Sequence, residues 1–402
     1  MLKKIAISDL KQGMYLHKLC GSWTQHPFWR SKFVIKDENE IGLIRDSGIT
    51  EVWIDASQGL DVAAPLPVAA VPEIKAAPAQ AAPHAAREKA ASLGDELARA
   101  TRICAEAKDA VNAMFQEARM GKAISTEIAS AMVEKLSASV TRNPGALISL
   151  ARLKTADDYT YMHSVAVCAL MLALSNQLGL DAAQTREAGM AGLMHDLGKA
   201  MIPLEVLNKP GKLTEAEFTL VKSHSEHGHR LLVEGGTASE VVLDVCLHHH
   251  EKMDGTGYPH GLKDEQITLY AKMGAVCDVY DAITSNRPYK AGWDPAESVR
   301  KMTEWCDGHF DKRVFQAFVK SIGIYPTGSL VLLASGRLAV VVEQSKQSLL
   351  MPCVRAFYST KSRMYVQPEL IQLTNTGGKE KIVGIEEPAH WGIKDLNQFW
   401  LP

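Results

Sequence analysis

The sequence of 402 residues lacks a basic excess, paired cysteines and long apolar runs. Its formal net charge of −2 differs from the positive surplus that binders of nucleic acid polymers and anionic membranes usually carry. We find no window of roughly 20 apolar residues, the length of a transmembrane helix, and no apolar N-terminal run typical of a signal peptide. These absences predict a cytoplasmic protein that binds neither a nucleic acid polymer nor a membrane.

Cysteine is scarce and shows no pattern of pairing. The seven cysteines are scattered along the chain, and none forms a CxxC motif. Cys168, Cys246 and Cys277 lie among Val, Ala and Leu, which predicts buried, reduced thiols. The absence of a disulfide framework is typical of a reducing compartment and agrees with a cytoplasmic location.

The pattern of apolar residues divides the chain into five predicted regions. Residues 1–60 contain short strand-like runs around a brief helical segment and predict a small α/β domain. Residues 61–86 are rich in Ala and Pro and predict a semi-rigid linker, and residues 87–149 show helical periodicity and predict a helical connector. Residues 150–325 predict a helical domain, and residues 326–402 a small β-rich appendage. The fold class is therefore mainly α, and a dimerising coil is an alternative interpretation of residues 87–149.

Several helix starts are marked by capping residues. Asp181 with Gln184, and Thr214 with Glu217, form capping-box patterns, and Asp294 precedes a Pro at the first helical position. We expect the segment that Thr214 begins to continue as one helix through the next histidine, His224.

Histidine is concentrated in one region, where eight of the 14 histidines lie between His195 and His260. Candidate ligands fall on successive predicted helical segments about 25 to 32 residues apart. They are His163, His195, Asp196, His224, His249, His250 and Asp278. This spacing is expected when each helix of a bundle sends a side chain into a common site.

These donors are imidazoles and carboxylates without a thiolate. Such a set suits iron, manganese, nickel or zinc with five or six ligands. Seven donors exceed the need of one ion, and a carboxylate such as Asp196 can bridge two. Two ions about 3.5 to 4 Å apart can activate water and clamp a phosphoester, so the pattern predicts a metal-dependent phosphohydrolase.

Residues 150–323 resemble an HD-GYP domain, a branch of the HD superfamily of metal-dependent phosphohydrolases. The matching motifs are Asp158-Tyr159-Thr160-Tyr161-Met162-His163, His195-Asp196-Leu197-Gly198-Lys199, Lys209-Pro210-Gly211, His224, His249-His250-Glu251, Gly257-Tyr258-Pro259, Asp278-Val279-Tyr280-Asp281 and Arg287-Pro288-Tyr289-Lys290. Residues 1–60 resemble an uncharacterised domain often found ahead of HD-GYP domains. The resemblance implies an all-helical HD-type bundle between the two smaller regions.

The resemblance also implies an activity, which is hydrolysis of the bacterial second messenger cyclic di-GMP to pGpG or GMP. The attacking group would be a hydroxide that bridges two iron or manganese ions. The seven candidate donors would be the metal ligands, with Asp196 as the bridge and Lys199 as a catalytic cation. Substrate-binding residues would be Lys199, Gly257, Tyr258, Pro259, Arg287 and Lys290. The loop around Tyr258 is also where family members contact protein partners, and a homodimer is a further expectation.

One departure concerns the number of metal ions. Some family members carry a Glu four residues before the first histidine, where it helps hold a third metal, but this chain has Tyr159. A phenol is a poor ligand for that role, so we favour two ions and leave the final product open between pGpG and GMP.

Two other functions are kept as alternatives. The flanking domains favour a signalling adaptor that binds the nucleotide or a protein partner with little turnover. The same site could also cleave another cyclic dinucleotide, such as cyclic GMP-AMP. Near the ligands, we expect His248 to have no direct role and Glu251 to support a ligand histidine or pair with a cation. Asp254 is expected either to form a turn or to give a supporting hydrogen bond in the site.

Overall fold

The computed structural model describes residues 2–19, 33–35, 41–42, 44–45, 51–60, 93–122, 124, 126–152, 159–236, 238–285, 292–345 and 347–401. The chain divides into two units, Met1–Arg87 and Glu88–Pro402. The predicted linker, residues 61–86, lies outside the described residues.

The first unit is built on a four-stranded antiparallel sheet. Its strands are β1 (Leu2–Ala6), β2 (Tyr15–Leu19), β3 (Phe33–Val34) and β4 (Glu51–Asp55), in the order β1-β4-β2-β3. Leu16, Val52 and Ile54 on the strands pack with the helical residues Ile41 and Ile44 in the core. The sequence did not predict β1, because its residues are only half-buried or exposed and two of them are lysines.

Twelve helices are described in the second unit. They are α1 (Leu93–Arg119), α2 (Thr126–Arg142), α3 (Pro144–Arg152), α4 (Tyr159–Leu178), α5 (Ala182–Met194), α6 (Leu204–Leu207), α7 (Glu215–Lys222), α8 (His224–Gly235), α9 (Glu240–His248), α10 (Leu269–Thr284), α11 (Pro295–Trp305) and α12 (Lys312–Ile322). The mainly helical class that the sequence predicted is confirmed.

Helices α1 and α2 bury the stripes that their apolar spacing predicted, including Leu97, Ala100 and Leu136. Ile128 lies at the same four-residue spacing as Met132 and Leu136, but its side chain is 52% exposed. The adjacent Ala129 is fully buried instead, because a step of four residues exceeds one turn of 3.6 residues and carries Ile128 to the edge of the stripe. The buried stripes join α1 and α2 to the rest of the helical unit, where both helices also pack against α4.

Helix α4 forms the centre of the helical unit and packs against α1, α2, α3, α5, α10 and α12. Its approach to α5 is close, because a Cβ atom at Gly192 would lie 3.0 Å from backbone atoms of Cys168. Cys168 is fully buried at this contact, as are Cys246 and Cys277 in other helices, so the predicted burial of these thiols is confirmed. The close contact sets the positions of His163 and of the residues that follow α5.

The composition of α4 corrects one expectation about membrane spans. No such window was expected from the sequence, but Thr160–Leu178 is long and apolar enough for a span. Polar residues such as Ser164 interrupt the apolar run, but the window contains no charged residue. Within the protein, 78% of this window is buried. Central helices of folded domains meet the same criteria of length and composition.

The predicted caps occur at the helix starts. Asp181 and Gln184 form a capping box at α5, Thr214 and Glu217 form one at α7, and Asp294 caps α11. The expected continuous helix through His224 is wrong, since α7 ends at Lys222 and His224 begins α8.

The C-terminal region forms a five-stranded antiparallel sheet. Its strands are β5 (Leu330–Leu333), β6 (Arg337–Glu343), β7 (Cys353–Ser359), β8 (Met364–Gln372) and β9 (Ile382–Ile385), in the order β8-β7-β6-β5-β9. The predicted β-rich character is confirmed. The strand β8 continues through Pro368, because an edge strand accommodates a proline. The short β9 was not predicted from the sequence.

Candidate metal centre

The seven predicted donors come from five parts of the helical unit. His163 lies in α4, His195 and Asp196 follow the last residue of α5, and His224 begins α8. His249 and His250 follow α9, and Asp278 lies in α10. The exposed fraction of these residues is 6% or less, except for His250, which is half-buried. Helix ends therefore carry most of the site.

Asp196 stands between two sets of imidazoles. Its Oδ2 lies 3.3 Å from Nε2 of His163 and 3.4 Å from Nε2 of His195. Its Oδ1 lies 3.3 Å from Nε2 of His224 and 3.9 Å from Nε2 of His249. The two oxygens of one carboxylate thus face different histidines, as a bridging ligand requires.

Asp278 lies across the site from Asp196 and also touches both sets. Its Oδ1 lies 3.0 Å from Nε2 of His163, and its Oδ2 lies 3.6 Å from Nδ1 of His250. Donor atoms of His163, His195 and Asp278 lie within 4.8 Å of one another, and so do those of His224, His249 and His250. A third such group is His195, Asp196 and His249. The structure therefore brings all seven predicted donors together.

Three of the histidines are oriented by backbone carbonyls of the preceding helical turn. Nδ1 of His195 lies 2.8 Å from the oxygen of Gly192, and Nδ1 of His224 lies 2.6 Å from that of Val221. Nδ1 of His249 lies 2.9 Å from the oxygen of Val245. A carbonyl oxygen only accepts, so Nδ1 carries the hydrogen and the neutral ring leaves a lone pair on Nε2. All three Nε2 atoms face Asp196.

His163 is oriented instead by Asp281, a residue to which the sequence reading gave no role. Nδ1 of His163 lies 2.6 Å from Oδ2 of Asp281, whose Oδ1 accepts a hydrogen bond from Ser285 at 3.2 Å. Burial opposes charge on His163, but bonds with Asp196, Asp278 and Asp281 outweigh it and raise the pKa of this imidazole to about 10. A proton and a divalent cation therefore compete for Nε2. The sequence offered one signal for this role of Asp281. It follows Asp278 by three residues on one helix, so both carboxylates lie on the same face.

The charge states of the other groups suit a cation site. Burial holds the pKa of His249 well below its ordinary value and lowers that of His250 to about 3, so both rings are neutral. Burial also favours the neutral acid of Asp196, but the charge of Lys199 and the contacts with His195 and His163 outweigh it and hold this pKa well below its ordinary value. Neutral imidazoles beside an ionised carboxylate are the form in which these groups bind metals.

Two buried atoms in the centre have no hydrogen-bond partner among the described residues. They are Nε2 of His195 and Oδ1 of Asp196. Buried polar atoms are nearly always paired, so two orphans at the meeting point of seven donors indicate a ligand. The donor set and its orientation fit divalent metal ions.

Lys199 lies at the edge of the centre, where the sequence placed it. Its Nζ contacts Oδ2 of Asp196 at 2.5 Å, and the side chain is 22% exposed. The ammonium group therefore holds one oxygen of the proposed bridge and still reaches solvent. This position suits a cation that meets a phosphate at the mouth of the site.

The Gly257-Tyr258-Pro259 loop lies directly against the centre. The ring of Tyr258 stacks on His250 with centroids 4.6 Å apart at 30°. Gly257 approaches the backbone so closely that a Cβ atom would lie 2.4 Å from the nitrogen of Lys252. Glycine is therefore required at this position for the loop to pack. Pro259 follows in the same loop and is half-buried.

Two acidic residues hold this loop. Glu251 accepts hydrogen bonds from the backbone nitrogens of His260 at 2.7 Å and Leu262 at 3.0 Å. Glu251 was expected to support a ligand histidine or pair with a cation. That expectation is wrong, because its buried carboxylate accepts hydrogen bonds from backbone nitrogens of the loop instead. Asp254 accepts bonds from the nitrogen and Oγ1 of Thr256, which confirms its turn.

Other predicted residues lie away from the donors or outside the described residues. His248 bonds with Asp244 at 2.8 Å and with His260 at 3.1 Å, and none of the donor groups includes it. Arg287 and Lys290 lie outside the described residues, and so does the side chain of Tyr159.

Comparison with known proteins finds relatives along the whole chain. Residues 2–129 match the model of a domain of unknown function, DUF3391, and residues 126–314 match the HD domain. A cyclic di-GMP phosphodiesterase of Pseudomonas aeruginosa is 52% identical over 401 residues, which cover 100% of this chain and 96% of that protein. The chain belongs to the HD-GYP family of HD-domain phosphohydrolases.

Two further relatives match the helical region alone. A 3'3'-cGAMP-specific phosphodiesterase of Vibrio cholerae is 35% identical over 165 residues, 41% of this chain and 38% of that protein. A cyclic di-GMP phosphodiesterase response regulator of Xanthomonas campestris is 41% identical over 150 residues, 37% of this chain and 39% of that protein. HD-domain phosphohydrolases are metal-dependent, which agrees with the donor groups described above.

Proposed function

We propose that this protein is a metal-dependent phosphodiesterase that hydrolyses cyclic di-GMP. The observation that carries the proposal is the pair of donor groups that meet at Asp196. The substrate is supported by the Pseudomonas relative, which shares 52% identity over the whole chain and is named for this activity.

The proposed ligands divide into two sets around a shared carboxylate. His163, His195 and Asp278 would hold one ion, and the other set would hold the second. The second set is His224, His249 and His250. Asp196 faces both, and iron or manganese suits donors that include no thiolate. We favour two ions because Tyr159 stands where a carboxylate would serve a third.

Bound divalent ions lower the pKa of water and neutralise negative charge on a phosphate. The chain supplies the orientation: Asp281 fixes the ring of His163, and backbone carbonyls fix His195 and His224. Lys199 lies where its ammonium group meets a phosphate oxygen. The oxygen of water bonds to phosphorus, the ester bond to the ribose oxygen breaks, and that oxygen takes up a proton, which gives linear pGpG. A second cleavage of the same kind would give GMP.

The loop and the two cations beyond α10 would position the substrate. We propose that Gly257, Tyr258 and Pro259 form one wall of the site, since the Tyr258 ring lies on His250. Arg287 and Lys290 are proposed phosphate contacts, because the guanidinium group suits a bidentate contact. A protein partner at this loop and a homodimer are further predictions from the family. The free thiols of the six described cysteines support a cytoplasmic location.

The test is elemental analysis of protein purified without added metal, paired with chromatography of cyclic di-GMP incubations. We expect iron or manganese in the protein, accumulation of pGpG or GMP, and complete loss of turnover after chelation that readdition of metal reverses. Metal-loaded protein that binds cyclic di-GMP and leaves it intact would instead support the adaptor.

One observation favours a second substrate, cyclic GMP-AMP. The Vibrio relative that matches the helical region at 35% identity is named for 3'3'-cGAMP. Parallel measurement of kcat/KM on the two dinucleotides decides between them. We expect cyclic di-GMP to be preferred, and a higher kcat/KM on cyclic GMP-AMP would reassign the substrate.

A further inference from the structure

Helix α7 lies next to the metal centre and contributes little to the core. None of its residues is fully buried, although it contains Phe218, whose side chain is 50% exposed. The start of the helix is nevertheless well anchored. Glu217 completes the capping box with Thr214 and accepts a hydrogen bond from Lys209 at 2.7 Å. An anchored helix thus presents an aromatic ring to solvent.

Lys222, the last residue of α7, connects this ring to the metal centre. Its Nζ lies 4.7 Å from the ring centroid of Phe218 and 5.7 Å from that of Tyr258. The Tyr258 ring in turn stacks on His250 at 4.6 Å. The chain reaches His224 two residues after Lys222. An aromatic ring, an ammonium group and a second aromatic ring therefore lead outward from the donors.

We propose that Phe218 and Lys222 form a subsite for a guanine base of the substrate. This inference rests on the proposed function, because it places one base of a dinucleotide whose phosphate is at the metal centre. A base presents a flat π face that stacks on an aromatic side chain. Guanine also presents two acceptors, O6 and N7, which are the usual partners of a lysine ammonium group.

The lysine gives this subsite a preference. Adenine carries an amino donor where guanine carries O6, so an ammonium group at this position favours guanine. Phe218 supplies stacking energy for either base, and Lys222 supplies discrimination. Cyclic GMP-AMP also has a guanine to place here, so the subsite would set the affinity for cyclic di-GMP and its preference over cyclic di-AMP, which has no guanine.

A simpler interpretation is that Phe218 is one of many exposed apolar residues and that Lys222 only stabilises α7 from one turn away. The two interpretations differ in what the substitutions change. A helix-stabilising pair would affect every substrate equally, whereas a base subsite affects only substrates that carry a base. A phosphodiester without a base, bis(p-nitrophenyl) phosphate, separates them.

The test compares Phe218→Ala with Leu220→Ala in the metal-loaded, full-length protein. Leu220 lies on the same helix and is 37% exposed, so its truncation controls for effects on α7. For Phe218→Ala we expect KM for cyclic di-GMP to rise by roughly tenfold, the loss typical of one stacked base. The ratio of kcat/KM for cyclic di-GMP to kcat/KM for bis(p-nitrophenyl) phosphate should fall by a similar factor. Leu220→Ala should keep the wild-type ratio.

Lys222→Met tests discrimination, because methionine keeps the length and apolar part of the side chain. We expect the preference for cyclic di-GMP over cyclic di-AMP, measured as the ratio of their kcat/KM values, to fall by about tenfold. An unchanged preference, or an unchanged substrate ratio in Phe218→Ala, overturns the subsite. Failure of the proposed function looks different, since wild-type protein would then cleave bis(p-nitrophenyl) phosphate and leave cyclic di-GMP intact.

Discussion

Two buried carboxylates in the helical unit differ in how their oxygens are satisfied. Glu96 accepts hydrogen bonds from Nε and Nη2 of Arg142 at 2.7 and 2.8 Å and from Ser139 at 2.8 Å. Asp196 faces four imidazole nitrogens and Lys199, yet its Oδ1 has no hydrogen-bond partner within the described ranges. The first region is a complete network that joins α1 to α2. The second leaves a carboxylate oxygen open to a cation, so the two carboxylates differ in unsatisfied atoms and not in burial.

The largest expected effect comes from removing the charge of Asp196. Asp196→Asn should lower kcat for cyclic di-GMP by about a thousandfold or more, because a neutral amide is a poor bridge between two cations. Bound metal should fall, whereas the helical circular dichroism spectrum should stay near that of the wild type. Near-normal hydrolysis by this variant would show that another group bridges the ions.

The matching change in the complete network should affect stability and leave catalysis alone. Glu96→Gln removes the anion that faces the guanidinium group of Arg142, whose side chain is 15% exposed. We expect the free energy of unfolding in urea to fall by about 3 kcal/mol, as for other broken buried ion pairs. The kcat of the folded fraction should be unchanged.

An exposed pair between the same two helices provides the control. Glu106 and Lys135 form an ion pair at 2.5 Å, with side chains 52% and 53% exposed. Glu106→Gln should change stability little, because water screens such pairs. If both substitutions had the same effect, burial would not be the reason for the stability of the Glu96 network.

The donors of the metal centre could be predicted from the sequence because their signal is local. His195, Asp196 and His249 follow helix ends that stop signals mark, and Asp181 caps the helix that leads to the first two. The core stripes of α1 and α2 follow from a period of 3.6 residues. Their roles as ligands stay predictions until metal is measured.

The Glu96 network could not be predicted in the same way. Glu96 and Arg142 are 46 positions apart, and their meeting depends on the register between two helices. The break before His224 was missed because Ser223 forms a single turn between two helical segments. Strand β9 has only four residues, too few for a period of two to stand out. These features depend on tertiary contacts, which a local pattern does not contain.

An intermediate effect is expected at Asp281, which orients His163 from behind. Asp281→Asn should lower metal affinity or kcat by about 10- to 100-fold, because the loss of charge weakens the hydrogen bond that fixes the ring. Asp244→Asn is the control, since Asp244 lies 2.8 Å from Nδ1 of His248, which is not among the donors. Equal losses in both variants would indicate a general effect on packing, and metal titration with each variant distinguishes the outcomes.

The smallest effect concerns the acid sensitivity of the Glu96 network. Burial favours the neutral acid, but hydrogen bonds from Arg142 and Ser139 outweigh it and hold the pKa of Glu96 below its ordinary value. The stability that this group contributes is therefore complete above the unfolded pKa of about 4.3 and is lost as pH falls through the lower folded pKa. Urea unfolding of wild type and Glu96→Gln should show a constant difference between pH 7 and about pH 5. The two stabilities should begin to converge as pH falls below about 4.3 and should meet only below the lower folded pKa, because a protonated Glu96 resembles the amide. A difference that never narrows as pH falls would place the loss in packing instead of charge.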